Sequence, residues 1–352
     1  QRELLLALLR SSNDFEVVGT ASNGKEAIAE AQRLRPNVIA MDNHLPILDG
    51  YEATRQIMRE CPTPIVLISS QRDTAQRSIE ALAAGALTVV SKPGGRAPAD
   101  ERATFLTTLR LMADVHVVTR HSTRPLTADQ RSPDGARHGS PVAGSWDAAQ
   151  SRRRPPPVPK ILAIAASTGG PAAVQTVLRG LGTGFPLPIL VVQHIARGFV
   201  PALAEWLNNT LALPVRVAQQ GERLHPGQVY LAPEDHHLVS HEPGTAGLRP
   251  VAAGDRFCPS ADLLFETAAT VYGGAAIGLV LTGMGDDGTR GLLALRAAGA
   301  PTLAQDAASC VVYGMPRAAV EAGAVARSEP LALIADAILG LVGGAARGLG
   351  VS

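Results

Sequence analysis

The stretch Lys160-Ile-Leu-Ala-Ile-Ala-Ala-Ser-Thr-Gly-Gly-Pro171 joins an unbroken apolar run to a glycine turn, with a proline suited to a first helical turn behind it. An apolar run of this length, followed by a helix-like segment, reads as a parallel strand buried on both faces. Two further stretches repeat the pattern. Leu187-Pro-Ile-Leu-Val-Val-Gln193 ends at His194, and Ile277-Gly-Leu-Val-Leu-Thr-Gly-Met284 runs into Gly285-Asp286-Asp287-Gly288. In open α/β sheets, ligands bind outside the carboxyl ends of the strands. Ser167, His194 and Asp287 are therefore expected at one sheet edge, the raw material of a hydrolase.

The chain has 352 residues, enough for two domains with a core in each. Hydrophobic residues make up 46% and charged residues 18%, which excludes a disordered chain. A net charge of +1 and an aromatic content of 3% argue against nucleic acid as the main partner, by charge or by base stacking. Cys61, Cys258 and Cys310 are odd in number and far apart, so neither a disulfide framework nor a zinc cluster is signalled, and a cytoplasmic location is expected. The apolar runs fall short of a membrane span and Gln1-Arg2-Glu3 opens no signal peptide, so no membrane insertion is expected.

Residues 1–118 alternate helical and strand patterns, with helices expected over 4–9, 24–34, 51–59, 74–84 and 103–118 and strands over 16–22, 37–41, 64–70 and 87–91. The alternation predicts a doubly wound parallel sheet. Residues 119–159 are rich in Arg, Pro, Ser, Asp and Gly and include Arg152-Arg153-Arg154; they read as a flexible linker whose arginines are solvated or touch an acidic partner. Alternation resumes over 160–345, interrupted by a more β-like insert at 215–250 with short strands at Val229-Tyr-Leu-Ala-Pro and His237-Leu-Val-Ser. Helices are expected over 260–272, 287–298 and 315–322.

In the first unit, Asp42, Ser69 and Lys92 end three successive strands. A carboxylate nucleophile, a hydroxyl donor and an ammonium so arranged can hold a phosphoryl group. With Met41-Asp-Asn-His-Leu-Pro-Ile-Leu-Asp-Gly50 and Val90-Ser-Lys-Pro93, these residues resemble the receiver domain of bacterial response regulators. The resemblance implies a flavodoxin-like fold with Asp42 as phosphoacceptor, Ser69 and Lys92 as switch residues, and Mg²⁺ as the phosphorylation cofactor. Receivers also carry a first strand with an acidic pair for the metal. This chain opens on what reads as the first helix, so the strand and pair are expected to be missing, and Asp14 and Glu16 come too late to replace them. Poor phosphorylation, or a receiver kept as a docking module, is the expectation.

In the second unit the residues leave alternatives open. The turn at Ser167 fits an oxyanion-binding nucleophile or a phosphate-binding loop. His194 fits a structural hydrogen-bonder or a general base. Asp286 and Asp287 fit helix caps or metal ligands. His236 and His237 would face opposite sides of a strand, so no metal cluster forms there. Together, Ala166-Ser-Thr-Gly-Gly-Pro171, Gln193-His194, Pro259-Ser-Ala-Asp-Leu-Leu-Phe265, Leu281-Thr-Gly-Met-Gly-Asp-Asp-Gly288 and Val312-Tyr-Gly-Met-Pro-Arg317 resemble the catalytic domain of the chemotaxis receptor methylesterases.

That resemblance implies a Rossmann-like domain with Ser167 as nucleophile, His194 as general base and Asp287 as its orienter. Thr168 and Met284 would be the oxyanion residues, and no cofactor serves the chemistry. The implied substrates are glutamate methyl esters and glutamines of methyl-accepting chemoreceptors, with a chemotaxis histidine kinase as phosphodonor and a monomeric protein. The chain departs from the family's pattern at Cys258, where an arginine is usual, and at Ala196, where a proline is. A non-enzymatic adaptor with the same architecture is the alternative reading.

Overall fold

The computed structural model describes residues 2–69, 75–91, 99–115 and 157–347. Lys92 and most of the expected linker lie outside them. The first unit runs α1 (Arg2–Arg10), α2 (Gly24–Leu34), β1 (Ile39–Asp42), α3 (Gly50–Glu60), β2 (Ile65–Ser69), α4 (Ala75–Ala84), β3 (Thr88–Ser91) and α5 (Ala99–Ala113). Among the described residues its sheet is three parallel strands in the order β1-β2-β3. The strand expected over Glu16–Ser22 does not form. In the flavodoxin-like order such a strand pairs only with a first strand, which no described residue supplies, so its backbone has no ladder to join.

The second unit runs β4 (Ile161–Ala166), α6 (Gly170–Leu181), β5 (Ile189–Gln193), α7 (Val200–Thr210), β6 (Val215–Val217), β7 (Val229–Leu231), β8 (His236–Glu242), β9 (Thr245–Pro250), α8 (Ala261–Tyr272), β10 (Ala276–Val280), α9 (Thr289–Ala297), β11 (Thr302–Gln305), α10 (Met315–Glu321), β12 (Arg327–Glu329) and α11 (Leu331–Arg347). Seven parallel strands lie in the order β12-β11-β10-β4-β5-β7-β6. The β-like insert divides: β6 and β7 extend this sheet, while β8 and β9 form a separate antiparallel hairpin.

The apolar runs are continuous because both sheet faces are covered. Leu162, Ile164 and Ala166 of β4 join one core with Val177 and Leu178 of α6 and Ile334 and Ile338 of α11. Ile161, Ala163 and Ala165 join the other with Leu264 and Phe265 of α8 and Leu292 and Leu295 of α9. The order reverses between β4 and β10, which creates the crevice in which α/β sheets bind ligands. The first unit packs over this region: α4 lies against α6 and α7. Among the described residues no helix is long and apolar enough to cross a membrane.

Candidate active site

Three adjacent strands of the order β10-β4-β5 deliver the three side chains. Ser167 is the first residue after β4, His194 the first after β5, and Asp287 lies in the loop between β10 and α9. Ser167, Thr168, Gln193 and His194 line a cleft of about 300 Å³. His194 Nε2 lies 2.9 Å from Asp287 Oδ2. An ionised carboxylate on Nε2 fixes the proton there, which leaves Nδ1 with the lone pair a base needs.

The loop around Ser167 is held by its neighbours. The Ser167 N–H donates to Thr282 O at 3.0 Å, and Thr282 Oγ1 donates to Thr168 O at 3.0 Å. Thr282 Oγ1 also accepts from the Val312 N–H at 2.9 Å, so one buried threonine ties the loops after β4, β10 and β11 together. Gln193 Nε2 donates to both Ser167 O at 2.8 Å and His194 O at 2.9 Å, which fixes the two strand ends relative to each other. A Cβ on Gly283 would stand 2.7 Å from Ser167 Cβ and 2.5 Å from Met315 Sδ, closer than real contacts allow. The N–H groups of Thr168 and Met284 take part in none of the hydrogen bonds formed among the described residues. Both belong to the two loops that meet at Ser167, and each can donate to an oxyanion.

Asp287 is 3% exposed and fully engaged. Besides His194 it accepts the N–H of Ala261 at 2.7 Å and of Asp262 at 3.0 Å, and the Ser260 hydroxyl at 3.1 Å. It thus joins Ser260, the N-cap residue, in capping α8, and does not cap the α9 that follows it, whose N-cap is Gly288. Asp262 returns the favour by accepting from the Gly288 and Gly291 N–H groups at 3.0 and 2.9 Å. Burial works against the charged form of Asp287, but the bonds from His194, Asp262 and Ala261 outweigh it and hold the carboxyl below its ordinary value. Asp262 moves the other way: burial raises it, and the Asp287 charge adds to that against the Gly291 N–H. Two neighbouring carboxylates pushed apart in this manner leave Asp287 ionised beside the histidine.

A second histidine has a structural post. His237 is fully buried, with Nε2 2.9 Å from Asp255 Oδ2 and Nδ1 accepting the Ser260 N–H at 3.1 Å. His236 points to the half-exposed side of β8, as the alternation of a strand requires. Burial raises the Cys258 thiol, and its Sγ faces Glu234 O at 3.5 Å, so it is not held as a thiolate.

In the first unit Asp42 and Ser69 end the paired strands β1 and β2. Asp42 Oδ1 accepts the His44 N–H at 3.2 Å, and Asp49 caps α3 through the Glu52 N–H. Gly50 is needed for space, since a Cβ there would lie 2.1 Å from Asp42 O. Among the described residues there is no group of three acidic, histidine or cysteine side chains fit to hold a metal, and Asp14 is paired with Arg110.

The fold and the site define a class: an α/β hydrolase unit carrying a receiver-type module on the same chain. Residues 162–338 match the family model of the CheB methylesterase, and residues 1–102 match that of the response regulator receiver domain. The chain belongs to the CheB methylesterase family. It is 45% identical to protein-glutamate methylesterase/protein-glutamine glutaminase 4 of Myxococcus xanthus, over 91% of this chain and 88% of the relative. It is 42% identical to protein-glutamate methylesterase/protein-glutamine glutaminase 3 of Anaeromyxobacter dehalogenans, over 96% and 92%. The crystal structure of the Thermotoga maritima CheB methylesterase catalytic domain superposes with a TM-score of 0.50 at 37% identity, covering 52% of this chain and 99% of that one.

Sequence reasoning missed the loop-tying roles of Thr282 and Gln193 and the capping role of Asp262. Apart from the His194 carbonyl beside Gln193, their partners lie 23 to 114 positions away in the chain, at spacings no local pattern marks.

Gly283→Ala is expected to displace Ser167 and to lower its labelling by an alkylphosphonate about a hundredfold, on the order of the loss of an oxyanion donor; an unchanged rate would show that the loop tolerates the methyl. The lowered Asp287 carboxyl sets a pH signature. A carboxylate lowered on folding contributes stability above its unfolded value, about 3.9, and loses it as pH falls through the folded value. The gap in Tm between the native chain and Asp287→Asn should therefore narrow as pH falls below about 5 and go on narrowing below the unfolded value of about 3.9. A gap that stays constant would contradict the ionised cap.

Proposed function

We propose that this chain hydrolyses glutamate methyl esters on the cytoplasmic domains of methyl-accepting chemoreceptors, releasing methanol, and deamidates receptor glutamines by the same chemistry. The His194–Asp287 hydrogen bond, in the loop-built edge that also holds Ser167, is the observation that carries the mechanism. Family membership supports the substrate class.

In this reading Ser167 Oγ attacks the ester carbonyl carbon while His194 Nδ1 takes the hydroxyl proton. Negative charge gathers on the carbonyl oxygen, where the Thr168 and Met284 N–H groups donate to it. Collapse breaks the bond to the methoxy oxygen, which leaves as methanol with the proton from His194. A water, giving its proton to the same nitrogen, attacks the acyl carbon and frees glutamate and Ser167. For glutamine the leaving group is ammonia. Asp287 orients the ring and stabilises the imidazolium without taking the proton itself. The imidazole is turned relative to the chymotrypsin template, in which the carboxylate holds Nδ1.

The receiver provides the control. Leu82, Leu87, Thr88 and Val89 line the same cleft as Ser167 and His194, so a receptor side chain entering it shares the space with the α4–β3 face. Met284 and Val311 pack against a receiver core containing Ile68, Leu87 and Phe105. Phosphorylation of Asp42 by a chemotaxis histidine kinase would act one strand away from Ser69 and two from β3, the strand that carries Thr88 and Val89. It releases the cleft only by favouring the undocked arrangement through a difference in interaction with the two states.

Methanol release from carboxyl-methylated receptor membranes is expected from this chain and should fall roughly a million-fold, to background, in Ser167→Ala; release that survives in the variant would remove Ser167 as the nucleophile. In the same assay a chain trimmed to residues 159–352 is expected to outpace the whole unphosphorylated chain. Equal rates would count against control by docking.

A further inference from the structure

Phe257 has no part in the mechanism above, yet its ring stacks on that of His194. The two centroids are 5.4 Å apart and the planes differ by 9°. The guanidinium carbon of Arg256 lies over the same ring at 5.0 Å from its centroid. Arg256 Nη1 in turn reaches both carboxylate oxygens of Asp286, at 3.0 and 3.2 Å. Asp286 is the chain neighbour of Asp287, so the contacts close a circuit: Asp287, His194, Phe257, Arg256, Asp286. The Phe257 ring edge also lies beside Gly285, in the loop that carries Met284.

A single hydrogen bond fixes one nitrogen of an imidazole but leaves the ring free to tilt and swing about it. A flat hydrocarbon surface held nearly parallel removes that freedom and keeps water from the face it covers. The Arg256–Asp286 pair is exposed, with side chains 71% and 53% accessible, and an ion pair of that kind contributes little to stability. What it adds is placement, because a guanidinium over an aromatic face is itself attractive and fixes where the ring lies.

We propose that Phe257, backed by Arg256 and Asp286, is a positioning residue that keeps His194 with Nε2 on Asp287 and Nδ1 toward Ser167. The proposal rests on the reading of Ser167, His194 and Asp287 as a triad. It predicts that the ring face, not the apolar volume, is what counts. It also gives Asp286 a function distinct from that of its neighbour.

The test compares the whole native chain with Phe257→Leu and Phe257→Tyr, using nitrogen NMR of labelled histidine, with His194→Gln for assignment, and the rate of alkylphosphonate labelling at Ser167. The native chain should show His194 as one tautomer, protonated on Nε2. Phe257→Leu should show averaged ring nitrogens, label about tenfold more slowly, and lose methanol release in kcat with KM within about twofold. Phe257→Tyr should restore the single tautomer and recover most of the rate lost in Phe257→Leu. If Phe257→Leu fails to fold, Arg256→Met, on the exposed end of the stack, should slow labelling in the same direction by a few-fold. Native tautomer and rate in Phe257→Leu, or in Arg256→Met where that variant stands in, would overturn the proposal. So would a tyrosine variant as slow as the leucine one. Absence of labelling in the native chain would count against the triad itself, while the tautomer signal would still decide the role of Phe257.

Discussion

Asp287 accepts the N–H groups that open α8, and Asp262, the second residue of α8, accepts those at the start of α9. Each helix is capped by a carboxylate from the start of the other, and the two helices pack along their length over one face of the sheet. A cap of this type stabilises a helix by about 1 kcal/mol, and a carboxylate at a helix N-terminus also meets the favourable end of the helix dipole. The arrangement solves a problem that the chemistry poses. A carboxylate 3% exposed is costly to keep charged, and only a full set of donors makes it stable. Three of its donors are Ser260 Oγ, Ala261 N–H and Asp262 N–H, and the fourth is His194. The histidine is therefore bonded to a group that the fold already holds.

The same economy governs the serine side of the cleft. Thr282 serves as acceptor for one loop and donor for another, and its own N–H donates to Gln305 Oε1 at 2.9 Å. Since β10 pairs with β4, the loops after these strands leave the sheet side by side, and the Gly283 position has to be empty for them to close. Ser167 and Asp287 thus descend from the same pair of strands at the point where the sheet order reverses. His194 comes from the strand on the other side of β4.

The strands bearing the site were legible because each is covered on both faces and so reads as an uninterrupted apolar run. The glycine turns and the helix starts after them were legible for the same local reasons. The failure at Glu16–Ser22 has the opposite cause: strand pattern is a local property, but a strand exists only with a partner, and pairing is not written in the segment itself. Asp287 could be read as a cap, but which helix it caps could not, because the capped N–H groups lie 26 and 25 residues before it. Phe257 carried no signal of any kind. It sits in an irregular segment with no periodicity, and only the folded hairpin and α8 bring it against His194.

The proposed control follows from which contacts belong to which unit. The His194–Asp287 bond, the caps, the Thr282 ties and the Phe257 stack all lie within the second unit, so the receiver has no hand in assembling them. What the receiver touches is the rim: Leu82 and Leu87 face the cleft mouth, and Met284 and Val311 pack into its own core. Val311 is also the side chain nearest to the Gly169 position, two residues after Ser167. A docked receiver therefore acts on access and on the loop of Met284, where an oxyanion donor is expected, while the acid–base pair stays built beneath it. Regulation of this kind requires no rearrangement of the buried carboxylate, whose displacement would strip the first N–H groups of α8 of their acceptor. Release of an apolar face is the smaller change, and the one that a charge added at the far end of the receiver sheet can bias.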